Sequence, residues 1–253
     1  MSNMILVEPI PIAASQITVN RGAGKDYLVD PERKHVFVDS APGSTLTVDV
    51  DLGTATGWDP IAFIGINLAT TWSVTGGASV TATTYMASRA MLADEALGPP
   101  YNAALYHHVA GASPRYLRAS IARPGGSGTL TLGNLVVGKA WKPTFNMELD
   151  SGRGIAGTGS GAWRSDGGKH SRPGARGAVR SWVLGDLSDA ELRQLYGIMW
   201  RTGEDFSLLV CEDPDFTAGQ AERIGWGYFT GLEPYARRAP GKHRWGMTFR
   251  DAH

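Results

Sequence analysis

The sequence contains a single cysteine, Cys211, among its 253 residues. One thiol excludes a disulfide within the chain, and it excludes a zinc or iron–sulfur site held by several cysteines of this chain. Cys211 ends the apolar run LLVC at residues 208–211, which indicates a small buried side chain. The fold is therefore expected to depend on packing alone.

Charge is also scarce. Charged residues make up 19% of the chain, and 24 basic residues balance 24 acidic ones. A net charge of zero gives no reason to expect nucleic acid or an anionic membrane as a partner. No segment approaches the roughly 20 apolar residues of a membrane helix, and the N-terminus lacks the pattern of a secretion signal. We expect a protein made in the cytoplasm, with no membrane insertion.

The sequence shows no catalytic or metal-binding motif with the residue spacing that such a motif requires. Ser160 lacks the Gly-x-Ser-x-Gly frame of a nucleophile elbow. His107 and His108 are adjacent, so in a strand they would face opposite sides and would not share a metal. Asp213 and Asp215 flank a proline, a pattern typical of a turn. The sequence thus predicts no catalytic, metal or cofactor-binding residues and no cofactor, and we expect the protein not to be an enzyme.

The chain is rich in glycine, with 33 residues. Hydrophobic residues make up 42% of the chain and occur in short runs. Residues 45–52 alternate apolar and polar, which predicts a half-buried strand, and residues 61–66 form an almost unbroken apolar run, which predicts a strand buried on both faces. Residues 116–121 alternate again and are expected to pair with residues 129–132 as a hairpin. We predict a mainly β protein, with an antiparallel β-sandwich over residues 1–140.

Residues 141–180 are expected to form a linker followed by a basic, glycine-rich arm. The arm, residues 151–180, has one acidic residue, Asp166, against six basic ones: Arg153, Arg164, Lys169, Arg172, Arg176 and Arg180. Such a composition buries too little apolar surface to fold alone. Two interpretations stay open, a solvated loop and an arm that docks on a neighbouring subunit. A phosphate-binding loop would need interleaved aromatics, and Trp163 is the single candidate.

Residues 181–253 are predicted to form a smaller β-domain with one α-helix over residues 189–202. Ser188 and Glu191 have the spacing of a capping box, and Leu187 and Leu192 that of a hydrophobic staple. Gly203 stands where a C-terminal cap belongs.

The chain has eight tryptophans, more than its length requires. Core packing is the ordinary role of this side chain, because it buries a large area. Trp58 and Trp72 flank the apolar run 61–66 in turn-like settings, so each is also a candidate for stacking on a sugar ring.

Three stretches resemble proteins of long-tailed bacteriophages. Residues 48–53 (VDVDLG) with 61–68 (IAFIGINL) are similar to the discoidin-like, jelly-roll sandwich at the N-termini of some minor tail proteins. Residues 137–146 (VGKAWKPTFN) look like the junction segment of the same proteins. The run from the helix to the strand 245–249 resembles the small β-domain by which distal tail proteins attach to the tube.

This resemblance implies a structural component of a siphophage-like virion, at the tail tip or baseplate, that joins the tube end to the hub or to receptor-binding parts. Its partners would be other tail proteins and copies of itself in a homo-oligomer. A carbohydrate-binding module that contacts a host surface glycan is the alternative. A cell-wall hydrolase is a third hypothesis, but it would need a paired acid and base that the sequence does not show.

Overall fold

The computed structural model describes residues 2–30, 35–41, 43–68, 70–93, 102–123, 128–149, 151–163, 165, 167–172 and 174–252. Its strands are β1 (Ile5–Pro9), β2 (Ile17–Val19), β3 (Phe37–Asp39), β4 (Leu46–Asp51), β5 (Trp58–Ile64), β6 (Thr71–Gly77), β7 (Thr83–Ala90), β8 (Ala103–Ala112), β9 (Tyr116–Ile121), β10 (Leu130–Leu132), β11 (Leu135–Trp141), β12 (Gly152–Gly157), β13 (Ser160–Trp163), β14 (Lys169–Arg172), β15 (Arg176–Leu187), β16 (Leu208–Cys211), β17 (Ile224–Leu232), β18 (Ala236–Ala239) and β19 (Lys242–Asp251). The α-helices are α1 (Asp189–Thr202) and α2 (Gln220–Arg223), and two short 3-10 helices cover Ala14–Gln16 and Lys25–Leu28. The prediction of a mainly β protein with antiparallel sheets is confirmed.

The chain divides into two compact units. The first comprises Met1–Pro143 and Leu208–Ile224, and the second comprises Thr144–Ser207 and Gly225–His253. This division differs from the predicted domains, since residues 208–224 return to the first unit. The reason is β16, whose four residues are all buried and which pairs with β1, placing Cys211 opposite Ile5. An apolar strand of this kind belongs in a sheet covered on both faces.

The first unit is the expected antiparallel sandwich. One sheet has the order β16-β1-β11-β5-β8 and the other β2-β4-β9-β6-β7. The alternation of β4 buries Leu46, Val48 and Val50 and leaves the side chains between them at the surface. The rings of Phe63 on β5 and Trp72 on β6 meet edge to face at 5.8 Å, so the two sheets are joined through aromatic packing.

The predicted hairpin between residues 116–121 and 129–132 is wrong. β9 lies between β4 and β6, so both of its edges are already paired. β10 pairs instead with β3, with Thr131 opposite Val38. Part of the intervening turn, residues 124–127, is outside the described chain.

The second unit is a sheet in the order β12-β15-β19-β17, with β18 paired to β19, and α1 packs on β15 and β19. The helix begins and ends where the sequence predicted. Ser188 Oγ accepts a hydrogen bond from the amide of Glu191 at 3.3 Å, and the amide of Ser188 donates to Glu191 Oε2 at 2.9 Å. Gly203 follows the helix with a φ of 53°, which favours glycine.

Leu192, Leu195 and Met199 form the buried face of α1. On the sheet below, Trp182 and Phe249 are buried, and their ring centroids are 5.7 Å apart. This core anchors the helix, because an isolated helix of 14 residues would be marginal in water.

Candidate functional site

The basic arm is a β-ribbon rather than a loop. β12 pairs with the first half of β15 in an unbroken antiparallel register, from Gly152 opposite Ser181 to Gly157 opposite Arg176. The amide of Thr158 donates to the carbonyl of Ala175 at 2.9 Å, which continues the ladder. β13 and β14 then pair from Ser160 opposite Arg172 to Trp163 opposite Lys169. The prediction of a loop is therefore corrected. Beyond Gly157 the ribbon is about 20 Å long, at about 3.3 Å per residue.

Small residues allow the two strands of the ribbon to approach closely. A Cβ atom at Gly174 would lie 2.2 Å from the amide nitrogen of Gly159, so no other residue fits there without a shift. The pairing satisfies the backbone groups that a glycine-rich loop would leave to water. This is how a segment without a core of its own becomes ordered.

Charge and exposure differ along the arm. Arg153, Arg172 and Arg176 are exposed, as a docking surface requires. Arg180 is 1% exposed and forms an ion pair with Asp251, so its prediction as a docking residue is wrong. It lies where β15 enters the core of the second unit, opposite Phe249. Arg164 and the side chain of Lys169 lie outside the described residues.

One face of the ribbon continues the core face of the sheet. Opposed residues of an antiparallel pair share a face, and so do residues two apart. Arg153, Ile155 and Arg176 thus lie on the same face as buried Trp182. Ile155 is nevertheless 79% exposed. In the body of the second unit, α1 covers this face of the sheet. On the arm, no element of the described residues covers it.

The prediction that Trp58 and Trp72 contact a glycan is wrong. Both indoles are 1% exposed and belong to the sandwich core. Trp58 packs edge to face on Tyr85 at 5.4 Å. The turn-like setting inferred from sequence does not exist, because Trp58 begins β5 and Trp72 is the second residue of β6. No ring face is left for a sugar.

A different set of aromatics is exposed. Tyr196 and Trp200 lie one helical turn apart on the outer face of α1, and their rings are stacked at 6.1 Å. Trp200 is 79% exposed and Tyr196 is 46% exposed. Together with Tyr235 and Pro234, from the segment between β17 and β18, they form the walls of a groove of about 370 Å³. We call this the aromatic groove.

The floor of the aromatic groove is buried and fixed. Met199 and Trp245 are almost fully buried there, and Trp245 Nε1 donates to the carbonyl of Glu233 at 2.6 Å. The side chain of Glu233 lies against the backbone of Gly246, where a Cβ atom would be 2.5 Å from Glu233 Oε2. Gly246 and Trp245 are neighbours on β19, so the carboxylate of Glu233 lies on the opposite face of the sheet from the Trp245 ring. The groove is thus an aromatic and apolar surface.

The sequence contains a local signal for two of the aromatic residues in this groove. Tyr196 and Trp200 are four residues apart, and they are displaced by one position from the buried stripe Leu192, Leu195 and Met199. Residues at i and i+4 share a helix face. Tyr235 and Glu233 carried no comparable signal, because their position depends on pairing with β19.

The first unit has a cleft of about 550 Å³ at one end of the sandwich. Tyr85, Ser113 and Tyr116 line it together with Arg115. The guanidinium of Arg115 donates to both carboxylate oxygens of Asp51, at 2.9 and 3.0 Å. The same guanidinium lies 4.8 Å from the centre of the Tyr116 ring. The cleft offers aromatic surface beside a fixed cation.

The described residues contain no group of three or more His, Cys, Asp or Glu side chains that would hold a metal. Burial raises the pKa of Cys211 to about 12, so this thiol is inert. Asp215 accepts hydrogen bonds from the side chain and the amide of Ser2, which lower its pKa. Asp213 accepts from the amides of Ser2 and Asp215, at 3.2 and 3.1 Å. Both carboxylates therefore fasten the N-terminal segment.

Asp59 on β5 and His107 on β8 are partly buried titratable groups that interact with each other. Burial raises the pKa of Asp59 and lowers the pKa of His107. The amide of Ala140 donates to Asp59 Oδ1 at 2.6 Å. Both shifts favour the uncharged form of the group.

Among the described residues, no helix is both long enough and apolar enough to cross a membrane.

No family model matches the chain, and no curated protein matches it by sequence. Among solved structures, it is similar to a Ruminococcus gnavus GH29 fucosidase in complex with fucose, with 14% identity and a TM-score of 0.41 over 53% of this chain. The chain spans 27% of that fucosidase.

Two shorter structures are matched over nearly their whole length. CpGH89CBM32-6 produced by Clostridium perfringens is 12% identical with a TM-score of 0.36, over 52% of this chain and 99% of its own. The chitosan-binding module 1 derived from a chitosanase/glucanase of Paenibacillus sp. IK-5 is 10% identical with a TM-score of 0.38, over 52% of this chain and 98% of its own. Similarities at these identities concern the fold alone.

Proposed function

We propose that the protein is a structural component of the tail tip of a long-tailed phage or phage-like particle, where copies of the chain assemble through the arm. The observation that carries this proposal is the ordered, exposed ribbon of β12 to β15, with Arg153, Arg172 and Arg176 on its surface. The ribbon has no hydrophobic core of its own, but its strands are already paired. Binding to a partner would therefore cost little additional conformational entropy.

The ribbon also presents an edge. β12 is the terminal strand of its sheet, and three of its six residues are glycine: Gly152, Gly154 and Gly157. Exposed flat edges are templates for the addition of a strand from another chain. The tail as the place of assembly rests on the resemblance of residues 48–53 with 61–68, of residues 137–146, and of the run from the helix 189–202 to residue 249 to tail proteins, and the proposed role requires no catalysis.

The proposal is tested on particles. The chain should be present in purified particles of the phage or phage-like element that encodes it, and antibody labelling should place it at the tail tip. Particles that are complete and active without this chain would refute the proposal. An Arg172→Glu, Arg176→Glu variant should fail to be incorporated, whereas Lys139→Glu, an exposed change on β11 of the first unit, should be incorporated normally.

A second candidate function is binding of a saccharide in the cleft of the first unit. The observation that favours it is the placement of Tyr116 and Arg115 side by side, since a sugar ring packs on aromatic surface while its hydroxyls need fixed polar groups. A glycan array with the purified protein tests it. Tyr116→Ala should abolish any signal, and Tyr228→Ala, in the second unit, should leave it unchanged. An array without hits would rule this candidate out.

A further inference from the structure

The first unit has another pocket, at the end of the sandwich opposite to the cleft of Tyr116. The cleft lies where β6 ends and β9 begins, whereas this pocket lies where β6 begins and β9 ends. Its volume is about 350 Å³, at the lower end of the range for small-molecule sites. Three segments supply its described lining: residues 43–45 before β4, Thr70 and Thr71, and Ala122 and Arg123. We call this the Arg123 pocket.

Hydrogen bonds between the three segments hold the walls of the Arg123 pocket. The amide of Gly43 donates to the carbonyl of Arg123 at 3.0 Å, and the amide of Ala122 donates to the carbonyl of Thr71 at 2.8 Å. The hydroxyl of Thr70 donates to the carbonyl of Ala122. The hydroxyl-bearing residues of the lining are Ser44, Thr45, Thr70 and Thr71. The pocket is therefore preformed, and much of its wall is polar.

Arg123 brings a buried positive charge to the pocket. The residue is 4% exposed, and a buried charge is costly unless it is paired. Its partner is the buried Asp39, which serves Arg21 as well: Arg123 Nε lies 3.3 Å and Arg21 Nη2 lies 3.0 Å from the same oxygen, Asp39 Oδ2. Within the described residues this oxygen accepts no hydrogen bond, so neither approach has good geometry. Two positive charges thus share one negative charge, which leaves an excess of one positive charge.

The surroundings of Arg123 supply no second acid. Its Nη2 donates to the carbonyls of Asp39 and Gly128, at 3.3 and 2.6 Å, and both of these acceptors are neutral. The next residues of the sequence, 124–127, lie outside the described chain and contain no charged side chain. Nη1 of Arg123 makes no hydrogen bond to the described residues, so it is the donor left for a ligand.

The excess of one charge decides which anion fits. A carboxylate carries one negative charge and would neutralise the cluster of Arg21, Asp39 and Arg123. A phosphate monoester carries about −1.5 to −2 at pH 7 and would leave an excess of negative charge. The described lining contains no lysine and no second arginine to balance it. A planar guanidinium also matches the geometry of a carboxylate, and hydroxyls on the walls suit a ligand that has hydroxyls of its own.

We propose that the Arg123 pocket binds a saccharide that bears a carboxylate, a uronic acid, with its carboxylate at Arg123 and its ring hydroxyls at Ser44 and Thr71. This site is separate from the cleft of Tyr116. It goes beyond the assembly through the arm and does not rest on it.

Binding of galacturonate and glucuronate to the purified protein tests the proposal, with galactose and glucose as matched neutral sugars. Each pair differs by a carboxylate in place of a hydroxymethyl group. In calorimetry at least one uronate should bind, and its neutral counterpart should bind about tenfold more weakly or less, the effect of losing one hydrogen-bonded charge pair. Equal affinity within each pair, or no binding of either uronate, would overturn the proposal. Inorganic phosphate that binds more tightly than both uronates would also overturn it.

A substitution in the wall places the ligand. Thr71→Glu adds a carboxylate of the protein itself to the pocket, and it should weaken uronate binding by about tenfold or more. Thr71 is exposed, so the core stays intact. The control is Thr84→Glu, an exposed change on β7 near the opposite end of the same sheet, which should bind like the unmodified chain. Arg123→Met should abolish binding too, but it removes a partner of buried Asp39, so the Thr71 variant decides the case if that protein does not fold.

The variants also separate this site from the others. If Thr71→Glu binds uronate normally and Tyr116→Ala does not, the ligand occupies the cleft, and the inference fails while the second candidate function stands. If both variants bind normally, the ligand lies elsewhere and the inference fails. Assembly through the arm is measured by the oligomeric state and is unaffected by either result.

Discussion

At the scale of single residues, tryptophan serves two opposite purposes in this chain. Trp72 is buried between the sheets of the first unit, whereas Trp200 is 79% exposed on the outer face of α1. The chemistry of the side chain is the same, and the difference lies in what faces it. Phe63 meets the ring of Trp72, while Trp200 has Tyr196 on one side and solvent on the other.

This contrast predicts different effects on stability. Trp72→Ala should lower the free energy of unfolding by about 3–5 kcal/mol, because it leaves a cavity in a packed core. Trp200→Ala should lower it by less than about 1 kcal/mol, since most of its surface is exposed already. Denaturant unfolding of the two variants measures both. Equal losses would contradict the exposed position of Trp200 on α1.

Cys211 gives a second test at this scale. Burial raises the pKa of its thiol to about 12, and the thiolate is the reactive form. In the native protein Cys211 should not react with a chromogenic disulfide reagent at pH 8, and it should react fully in guanidinium chloride. Rapid reaction without denaturant would show that β16 is not buried as described.

At the scale of elements, the helix α1 is tied down at its first turn. Glu191 caps Ser188, and its Oε1 also accepts from the amide of Thr144 at 2.6 Å. Partial burial opposes the ionisation of Glu191, but the hydrogen bonds from Ser188 and Thr144 outweigh it and lower its pKa to about 2. The carboxylate therefore joins the helix start to the segment after β11.

The lowered pKa of Glu191 predicts how the stability of the protein depends on pH. A carboxylate whose pKa is lower in the folded protein stabilises it at pH values above about 4.5, and this stabilisation is lost as the pH falls towards about 2. Glu191→Gln should therefore destabilise the protein at pH 7 and make little difference near pH 2. Thermal unfolding of both proteins across this range is the measurement, with Glu204→Gln as the control. A constant difference at all pH values would contradict the cap.

Removal of the partner of Glu191 is the matching change. Ser188→Ala should cost about 1 kcal/mol, within the usual range for a lost N-cap. Urea unfolding at pH 7 checks it. A variant as stable as the unmodified chain would show that the Ser188 side chain does not cap α1.

The helix was predictable and the sheet pairing was not, for one physical reason. A capping box, a staple and a terminal glycine all lie within 17 residues, from Leu187 to Gly203, so their interactions can be read along the chain. The partner of β10 depends on both edges of β9 being occupied, which no local pattern reveals. Pairing of β16 with β1 joins positions about 200 residues apart.

For the candidate surfaces too, local features could be predicted from the sequence and long-range pairing could not. The basic composition of the arm was visible in the sequence, and Arg153, Arg172 and Arg176 are exposed as expected. The ordering of the arm was not visible, because it comes from cross-strand hydrogen bonds between glycine-rich segments. Trp58 and Trp72 were mistaken for loop residues, because the ends of β5 and β6 lie beside glycines in the sequence.

At the scale of the whole molecule, charge neutrality conceals a separation of charge. The arm is basic and the remainder is acidic by the same amount. In the proposed assembly the arm of one copy would be attracted to the body of another, and salt would weaken this attraction because the groups involved are exposed. Assembly should thus be strongest at low ionic strength, and sedimentation at about 50 mM and 500 mM salt should show a shift towards monomer. An increase in assembly with salt would point to an apolar interface instead.

The central claim is that the arm assembles this chain with copies of itself. Its most direct test is the oligomeric state of the purified protein as a function of concentration, for the unmodified chain and for a chain in which residues 158–175 are replaced by Asn-Gly and which also carries Arg176→Glu and Ile155→Ser. The account predicts that the unmodified chain passes from a 27.0 kDa monomer to a defined multimer, and that the shortened chain stays at its own, lower monomer mass in the same range. The same number of copies per particle for the two proteins at every concentration would contradict it.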